Sequence, residues 1–517
     1  MTSILASGNL SGLDWSMVVL YLSLVMGIAV WVKFSHNGRE DFFLAGRSMG
    51  WFVVMFATFA TLFSTVSFVA DPGEAYKNGL MTFLTTPALL ISYPIAIALF
   101  LRFYVTLGNF TIFEYLERRY NSILRFYGSF VCVLGRIIYG GTAFYAASKL
   151  LCGLAGWDEK LTILLIGAFT IAYCTTGGRR AVMLTDVFQG IISIVGIGAI
   201  IFIVLKVSNF DIFSIYRYAS SKGHGFENLF MSDFYRFNLH HRYNIWVVLW
   251  MMIYYPIMMV SSDQTLIQNL VAAKNYKTAI KGIYGNLFIS LPVVAALYFI
   301  GIGLFYFYGN EAGTLPEGTK ADYVMGHFVS TILPSPLPGV VIAGMLAALM
   351  STISSNVNTV ANVVYSDWLL RLHIIKEKSK YEMLICRLLT IIIGFFCVAM
   401  ALLLISAEKG TTTTVFEVIK IGGIVAGGPI FLAFTLGILS KRVSGKAMLV
   451  GLMAGWIFNI ILPYTIYYNV AEAERISFMW VNFPGVMVTL FLTLLLSIVW
   501  PNTRNLDNLT IWTLKKD

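Results

Sequence analysis

Long apolar segments separated by short polar loops run along almost the whole sequence. A helix needs about 20 mostly apolar residues to cross the hydrocarbon core of a bilayer, and about thirteen segments approach or exceed that length. Their approximate cores are residues 15–34, 51–70, 81–104, 124–152, 159–175, 183–205, 245–268, 279–308, 337–365, 386–406, 414–438, 447–467 and 480–499. The pattern predicts an all-α integral membrane protein with about thirteen transmembrane helices.

The composition supports a location in the lipid bilayer. Of the 517 residues, 58% are hydrophobic and 12% are charged, whereas soluble domains average about 25% charged residues. In such a chain a formal charge of +10 indicates basic loops at the cytoplasmic surface, and nucleic acid is not an expected partner. The five cysteines show no metal-binding spacing, so neither a zinc site nor a disulfide framework is expected.

The distribution of basic residues predicts the orientation. One alternate set of loops carries more than twice as many Lys and Arg residues as the other set, and basic loops stay in the cytoplasm. This places the N-terminus outside and the C-terminus in the cytoplasm of a plasma membrane, the inner membrane of a bacterium. Fewer than twenty residues follow Trp500, so the chemistry of the protein is expected to lie within the membrane.

Hydroxyl side chains interrupt the apolar segment 337–365. Ser351, Ser354 and Ser355 are spaced i, i+3, i+4 and therefore share one helical face. Thr352 adds another hydroxyl to an adjoining face. Hydroxyl and carbonyl oxygens are hard ligands that suit a small hard cation. Alternatively, these hydroxyls bond to carbonyls of their own helix or join neighbouring helices, as is common in membranes.

Two other segments are polar at the depth of the membrane. Segment 51–70 is rich in hydroxyls before Asp71-Pro72-Gly73, and segment 245–268 is polar from Ser261 to Thr265. They lie five segments apart, which matches a transporter of two inverted five-helix repeats, each beginning with a broken helix. The predicted divisions are an extra segment with a cytoplasmic loop (1–50), the first repeat (51–205), an extracellular loop (206–244), the second repeat (245–438) and two final segments with a tail (439–517).

Ionisable residues inside the apolar segments are candidates for function, because a charge is costly in the membrane. Asp186 would complete a cation site with the serines, or would be stabilised by a helix N-terminus or by a neighbouring Arg. Arg136 has the fork geometry that binds a carboxylate, or would bond to backbone carbonyls. Glu417 and Lys420 would pair with each other. Asp71 and Glu74 act as gates or, in the preferred interpretation, as turn residues.

Several motifs resemble those of the sodium:solute symporter family. They include Asp41-Phe42-Phe43-Leu44-Ala45-Gly46-Arg47, Pro72-Gly73-Glu74-Ala75-Tyr76, Gly177-Gly178 ahead of Thr185-Asp186, Ser351 to Asn356, and Gly427-Gly428-Pro429 through Lys441-Arg442. They occur in the family's order and cover nearly the whole chain. Within the family, the resemblance is strongest to bacterial sialic acid transporters. It implies the LeuT-type fold, with one extra helix before the ten-helix core and two after it.

The resemblance also implies two sodium sites. The first would use backbone carbonyls of Ala60, Phe63 and Ala348 with the hydroxyls of Ser351 and Thr352. The second, which occurs in some members of the family, would use Asp186, Ser351, Ser354 and Ser355. All of these residues are present.

The same resemblance places the solute between the broken helices, with Arg136 holding its carboxylate. The other predicted solute residues are Leu62, Ser64, Ser67, Thr82, Thr86, Asp263 and Gln264. Three positions depart from the pattern: Leu62 replaces a hydroxyl, Thr86 replaces a Gln and Asn269 replaces an Arg. The loss of polar partners changes the specificity of a binding site. The expected solute is therefore a carboxylate such as sialic acid or another sugar acid, and sialic acid is only one of the options.

The resulting prediction is a sodium-coupled symporter that imports a small polar organic solute by alternating access, with two Na⁺ per cycle and a monomer sufficient for transport. The alternatives within this class are a neutral sugar, a polyol or an amino acid as solute, and a proton on Asp186 in place of the second sodium. Outside the class, a membrane sensor remains an alternative. The sequence shows no nucleophile and base pair, so no enzymatic activity is expected.

Overall fold

The computed structural model describes residues 10–32, 39–108, 111–310, 313–376, 380–407, 429–463, 465, 470 and 476–513. Apart from two isolated β-bridges, the regular secondary structure of these residues is helical. In chain order the helices are α1 Gly12–Val32, α2 Arg39–Leu44, α3 Trp51–Leu62, α4 Thr65–Asn78, α5 Thr85–Leu107, α6 Phe113–Arg119, α7 Ser122–Ala155, α8 Glu159–Val207, α9 Ile212–Ser221, α10 Ser232–Tyr235, α11 Ile245–Ser262, α12 Gln264–Val271, α13 Tyr276–Gly309, α14 Ala321–Ile332, α15 Leu337–Val363, α16 Glu382–Ala407, α17 Phe431–Leu439, α18 Gly445–Pro463 and α19 Phe483–Val499.

The described residues contain ten helices that are long and apolar enough to cross a membrane, and eleven if the bent pair α3–α4 counts as one more. The predicted number of about thirteen is therefore not confirmed. The predicted segment 414–438 lies largely outside the described residues, as do Glu417 and Lys420. The predicted segment 159–175 forms the first part of α8, which continues through a kink at Gly178 into the next predicted segment.

The first predicted interruption is a break between α3 and α4. Helix α3 ends at Leu62, the backbone is extended at Phe63 and Ser64, and α4 begins at Thr65. The two helices differ in direction by 58°. Because a helix end leaves its last carbonyls without N–H donors from the same helix, this break supplies backbone oxygens for a ligand in the interior of the protein.

The interpretation of Asp71 and Glu74 as turn residues is wrong. Helix α4 continues past Pro72 to Asn78, so both acids lie inside it. Packing overrides the low helix propensity of Pro72 and Gly73. A Cβ atom on Gly301 of α13 would come within 2.5 Å of the Pro72 carbonyl oxygen, and one on Gly73 within 3.1 Å of Asp322 Oδ1. These close approaches hold α4 against its neighbours.

A second break separates α11 from α12 at Asp263. The backbone of Asp263 is extended, and its Oδ1 atom accepts a hydrogen bond of 2.9 Å from the Leu266 N–H. An aspartate in this place satisfies one of the free N–H groups at the start of a helix. The predicted segment 245–268 therefore consists of two helices joined by one capping residue.

Helix α15 is the centre of the molecule. In its apolar window 89% of the residues are buried, compared with 33% for α16. It contacts α8 very closely: Ser193 Oγ donates to the Gly344 carbonyl over 2.9 Å, and a Cβ atom on Gly344 would lie 3.1 Å from the Ile192 carbonyl oxygen. The hydroxyls of α15 consequently face other helices and not lipid.

The loops lie on two surfaces. One surface, which we call the basic face, is formed by residues 39–50, 111–121, 272–275, 364–376 and 440–444. On it, Met49 pairs with Ala273 in a β-bridge. The other surface, which we call the opposite face, is formed by residues 79–84, 208–244, 313–336 and 476–482. There the Leu80 N–H donates to His224 O over 3.0 Å and the Ser477 N–H to Leu239 O over 2.8 Å.

The kink in α8 depends on Gly178. Its backbone has φ 54° and ψ −167°, a conformation that is essentially restricted to glycine. A Cβ atom there would also lie 2.8 Å from Phe42 Cδ2 and 3.2 Å from Phe42 Cα. We expect Gly178→Ala to lower the unfolding free energy by about 1–3 kcal/mol from backbone strain, with a further loss from the clash.

The measurement is the thermal midpoint of the purified protein in detergent. Gly198→Ala on the same helix is the control, because a Cβ atom at Gly198 meets nothing within 4 Å, and it should leave the midpoint unchanged or slightly raised. Equal midpoints for the two variants would show that the kink does not require glycine.

Candidate functional site

The break after α3 contacts the hydroxyl-rich part of α15. Ser351 Oγ donates to the Ala60 carbonyl over 2.9 Å and to the Ala348 carbonyl over 3.1 Å. Thr352 Oγ1 donates to the same Ala348 carbonyl over 2.9 Å. Both hydroxyls are buried. Four of the five residues predicted for the first sodium site therefore lie in one hydrogen-bonded group, and the fifth, Phe63, is the first of the two extended residues of the break.

The residues predicted for the second sodium site lie one turn further along α15. Asp186 of α8 is fully buried, and its Oδ2 atom accepts from Ser355 Oγ over 3.4 Å. Its Oδ1 atom has no hydrogen-bond partner within the described part of the chain. Ser354 Oγ donates to the Ser351 carbonyl over 3.0 Å. A buried carboxylate oxygen without a partner is costly, and a bound cation would remove that cost.

A chain of hydrogen bonds that the sequence did not reveal joins the two breaks. Thr61 Oγ1 donates to Ser355 Oγ over 3.0 Å and accepts from Asn269 Nδ2 over 3.1 Å. The Oδ1 atom of Asn269 accepts from Arg179 Nη2. The end of α3, the inner helix α12 and the second predicted sodium site are thus connected by side chains. The only sequence signal was that Asn269 departs from the family pattern.

A cavity of about 230 Å³ lies beside the α3–α4 break. Four of the predicted solute residues line it: Leu62, Ser67, Thr82 and Thr86. Its other lining residues are Phe59, Phe63, Asp71, Thr85, Leu89, Leu90, Tyr93, Met251, Tyr255, Asn286, Leu287, Ser290, Leu291, Val294, Tyr298 and Met479. Drug-sized ligands occupy pockets of about 300–1,000 Å³, so this cavity suits a smaller solute next to the proposed sodium ligands.

Four other predicted solute residues lie away from the lining of this cavity. Arg136 forms an ion pair with Asp263 and donates to Asn356 Oδ1 over 3.0 Å. Gln264 Oε1 accepts from the Ile112 N–H over 2.8 Å near the basic face. Ser64 is buried at the break itself. In the structure, Arg136 and Asp263 therefore pair with each other, and neither residue lines the cavity.

An ionic cluster lies beside the cavity, on its side towards the opposite face. Glu74 of α4 is buried and accepts from Arg242 Nη2 over 2.8 Å and from Tyr243 OH over 2.5 Å. Thr82, which lines the cavity, donates to Glu74 over 3.3 Å. The loop 208–244 is thereby fixed to α4, the second half of the broken helix.

A second ionic cluster lies at the basic face. Asp367, next to the end of α15, pairs with Arg125 of α7 over 2.5 Å, and Arg125 pairs with Glu117 of α6 over 2.7 Å. Glu117 also accepts from Arg371 over 2.5 Å, and this hydrogen bond lowers the pKa of the Glu117 carboxyl. Each face therefore has an ion-paired cluster that connects neighbouring elements of the fold.

The match to a family model covers most of the chain. The model of the sodium:solute symporter family matches residues 42–455. The human sodium-coupled monocarboxylate transporter 1 is 27% identical over 464 residues, covering 86% of this chain and 72% of that protein. The sodium/sialic acid symporter NanT of Aliivibrio fischeri is 25% identical over 510 residues, covering 96% of this chain and 95% of that protein.

Solved structures are similar in fold. A substrate-bound, outward-open Na⁺-coupled sialic acid symporter superimposes with a TM-score of 0.85 at 21% identity, over 96% of this chain and 100% of that one. Mhp1, a nucleobase-cation-symport-1 family transporter, superimposes with a TM-score of 0.54 at 14% identity, over 90% and 95% of the two chains. The chain therefore belongs to the sodium:solute symporter family and is a LeuT-type, sodium-coupled membrane symporter of a small organic solute, not an enzyme.

Proposed function

We propose that the protein imports a small polar solute across the plasma membrane, the inner membrane of a bacterium, together with two sodium ions per cycle. The observation that carries this proposal is the contact of Ser351 with the Ala60 carbonyl at the α3 break. It brings the oxygens expected for a first sodium ion together, directly beside the cavity. The buried Asp186 carboxylate supplies the charge for a second ion.

Sodium couples to the solute through the break. An ion held by Ala60, Phe63, Ala348, Ser351 and Thr352 fixes the end of α3 against α15. Because Phe63 and Leu62 also line the cavity, ordering this segment prepares the solute site, and a second ligand then binds at lower cost. Each sodium ion that moves inward gains about 2.3 kcal/mol per 100 mV of membrane potential.

The basic face is the cytoplasmic side in this scheme, which puts the N-terminus outside and the C-terminus inside. Residues 51–205 and 245–438 are the two five-helix repeats, and each begins with one of the two breaks. All the proposed sodium ligands come from one chain, so a monomer is sufficient for transport.

The solute class predicted from the resemblance is a carboxylate. Relatives named for sialic acid and for monocarboxylates support it. In this structure, however, the guanidinium expected to hold that carboxylate is engaged by Asp263. A carboxylate solute would have to replace Asp263 as the partner of Arg136, or bind without it.

The test is the thermal stability of the purified protein with sugar acids, sugars, amines and amino acids, each measured in sodium and in potassium. The proposal predicts a stabilising solute whose effect requires sodium. Counterflow of that labelled solute in proteoliposomes then separates a transporter from a membrane sensor. A solute that stabilises equally in both salts, or one that binds without counterflow, would contradict the proposal.

A further inference from the structure

Arg179 is a buried charge whose hydrogen-bond partners are neutral. Its side chain lies next to the kink of α8 and is fully buried. Its Nη2 atom donates to Asn269 Oδ1 and, over 3.5 Å, to the Thr265 carbonyl. Its Nε and Nη1 atoms have no hydrogen-bond partner within the described part of the chain. A guanidinium in such a place is costly unless an anion compensates its charge.

The anion that the structure offers to Arg179 is Asp186, on the same helix. The two residues are seven positions apart in the regular part of α8 after the kink. They therefore lie on one helical face, about 10 Å apart along the helix axis, and their charges attract each other. Asp186 is also fully buried, and Ser355 is its neutral hydrogen-bond partner. Each of the two residues thus supplies the charge that compensates the other.

A chain of hydrogen bonds connects the two charges, and all of its bonds have the same direction. Arg179 donates to Asn269, whose Nδ2 atom donates to Thr61 Oγ1 over 3.1 Å. Thr61 Oγ1 donates to Ser355 Oγ over 3.0 Å, and Ser355 Oγ donates to Asp186 Oδ2 over 3.4 Å. The three intermediate side chains are neutral and buried. Hydrogen bonds aligned in this way polarise one another, so the chain links the cation to the anion.

We propose that Arg179 is the internal counter-cation of Asp186: it balances the carboxylate while the second sodium site is empty, and it opposes the sodium ion that binds there. The proposal rests on the proposed function and names a residue that determines the affinity of this site. Arg179 is a positioning residue that acts through Asp186, and it is not a ligand of sodium.

This arrangement serves a carrier that must bind sodium and then release it. Two positive charges about 10 Å apart repel each other in a protein interior, where water screens them less than in solution. The repulsion from Arg179 therefore limits the affinity of the Asp186 site for sodium. Once the ion has left, Arg179 compensates the buried carboxylate, so the empty site does not contain an isolated charge.

The experiment measures the thermal midpoint of the purified full-length protein against sodium concentration, with potassium keeping the ionic strength constant. Arg179→Gln removes the charge and keeps an N–H donor for Asn269. In potassium alone this variant should be less stable than the wild type, because Asp186 loses its counter-charge. Saturating sodium should restore most of the lost stability, and the sodium concentration for half-maximal stabilisation should fall by about fivefold or more.

Three further variants complete the experiment. Arg179→Lys keeps the positive charge and should keep the sodium dependence of the wild type. Arg180→Gln removes the neighbouring charge, which is exposed to solvent and therefore screened, and it should also keep that dependence. The double variant Arg179→Gln with Asp186→Asn contains neither charge of the pair, so its stability in potassium should exceed that of Arg179→Gln. It also provides folded protein if Arg179→Gln alone does not fold.

The results separate this proposal from the proposed function. An unchanged or lower sodium affinity in Arg179→Gln, an equal gain of affinity in Arg179→Lys, or a double variant no more stable in potassium than Arg179→Gln would each overturn the role of Arg179. These results would leave sodium symport intact. A wild-type protein whose thermal midpoint does not depend on sodium would instead contradict the proposed function.

Discussion

Ser351→Ala is expected to lower the apparent affinity for sodium by roughly tenfold to a hundredfold, as the loss of an interaction with a charged group costs about 1.5–3 kcal/mol. The Ser351 hydroxyl bonds to carbonyls on both sides of the first proposed site, and the second proposed site uses the same hydroxyl together with Ser354, Ser355 and Asp186. Because the hydroxyl is proposed as a ligand of both ions, its removal should weaken the binding of both. The measurement is the sodium concentration for half-maximal thermal stabilisation.

Ser354→Ala is the matched control for Ser351→Ala. It removes the same hydroxyl from the same buried helix, but from a residue proposed for the second site alone; Ser354 Oγ donates along α15 to Ser351 O over 3.0 Å. We expect a smaller loss of sodium affinity. An unchanged sodium dependence in Ser351→Ala, or a larger loss in Ser354→Ala, would contradict the assignment of Ser351 to both sites.

Arg136→Met is expected to destabilise the protein by about 3–5 kcal/mol even without any solute, because it leaves a buried carboxylate without its partner. Arg136 connects three elements: it pairs with Asp263 at the α11–α12 break and donates to Asn356 of α15. Asp263 in turn caps α12 over 2.9 Å. The measurement is the thermal midpoint in sodium and in potassium without solute.

The double variant Arg136→Met with Asp263→Asn separates a structural role from a solute-binding role. Asn keeps the capping oxygen of Asp263 and removes the charge, so most of the stability lost in Arg136→Met should return. If Arg136 alone is instead a solute clamp, Arg136→Met will fold with an unchanged midpoint and lose only solute affinity. That outcome would contradict the structural pairing and favour a carboxylate solute.

Sequence reasoning was sufficient where a local pattern determines the structure. The hydroxyls around Ser351 have helical spacing, and the structure places them on a buried part of α15. The polar interruption in segment 51–70 predicted a broken helix, and α3 ends at Leu62 as the LeuT-type fold requires. In both cases a polar group within an apolar segment has few alternatives, because the membrane contains no water to satisfy it.

Contacts between residues that lie far apart in the sequence could not be predicted from it. Arg136 and Asp263 were both identified as solute residues, but the sequence does not show in which direction a side chain points, and the two residues pair with each other. Asn269 was noted only as a departure from the family, whereas in the structure it connects Arg179 with Thr61. The continuation of α4 through Pro72 likewise depends on packing against α13.

The most direct test of the two sodium sites is equilibrium binding of radioactive sodium to the purified protein, without solute. The account predicts two ions per wild-type protein and one ion for Asp186→Asn, which removes the only carboxylate proposed as a ligand. The same number of ions bound by both proteins would contradict the second site at Asp186. The absence of saturable sodium binding to the wild-type protein would contradict the account as a whole.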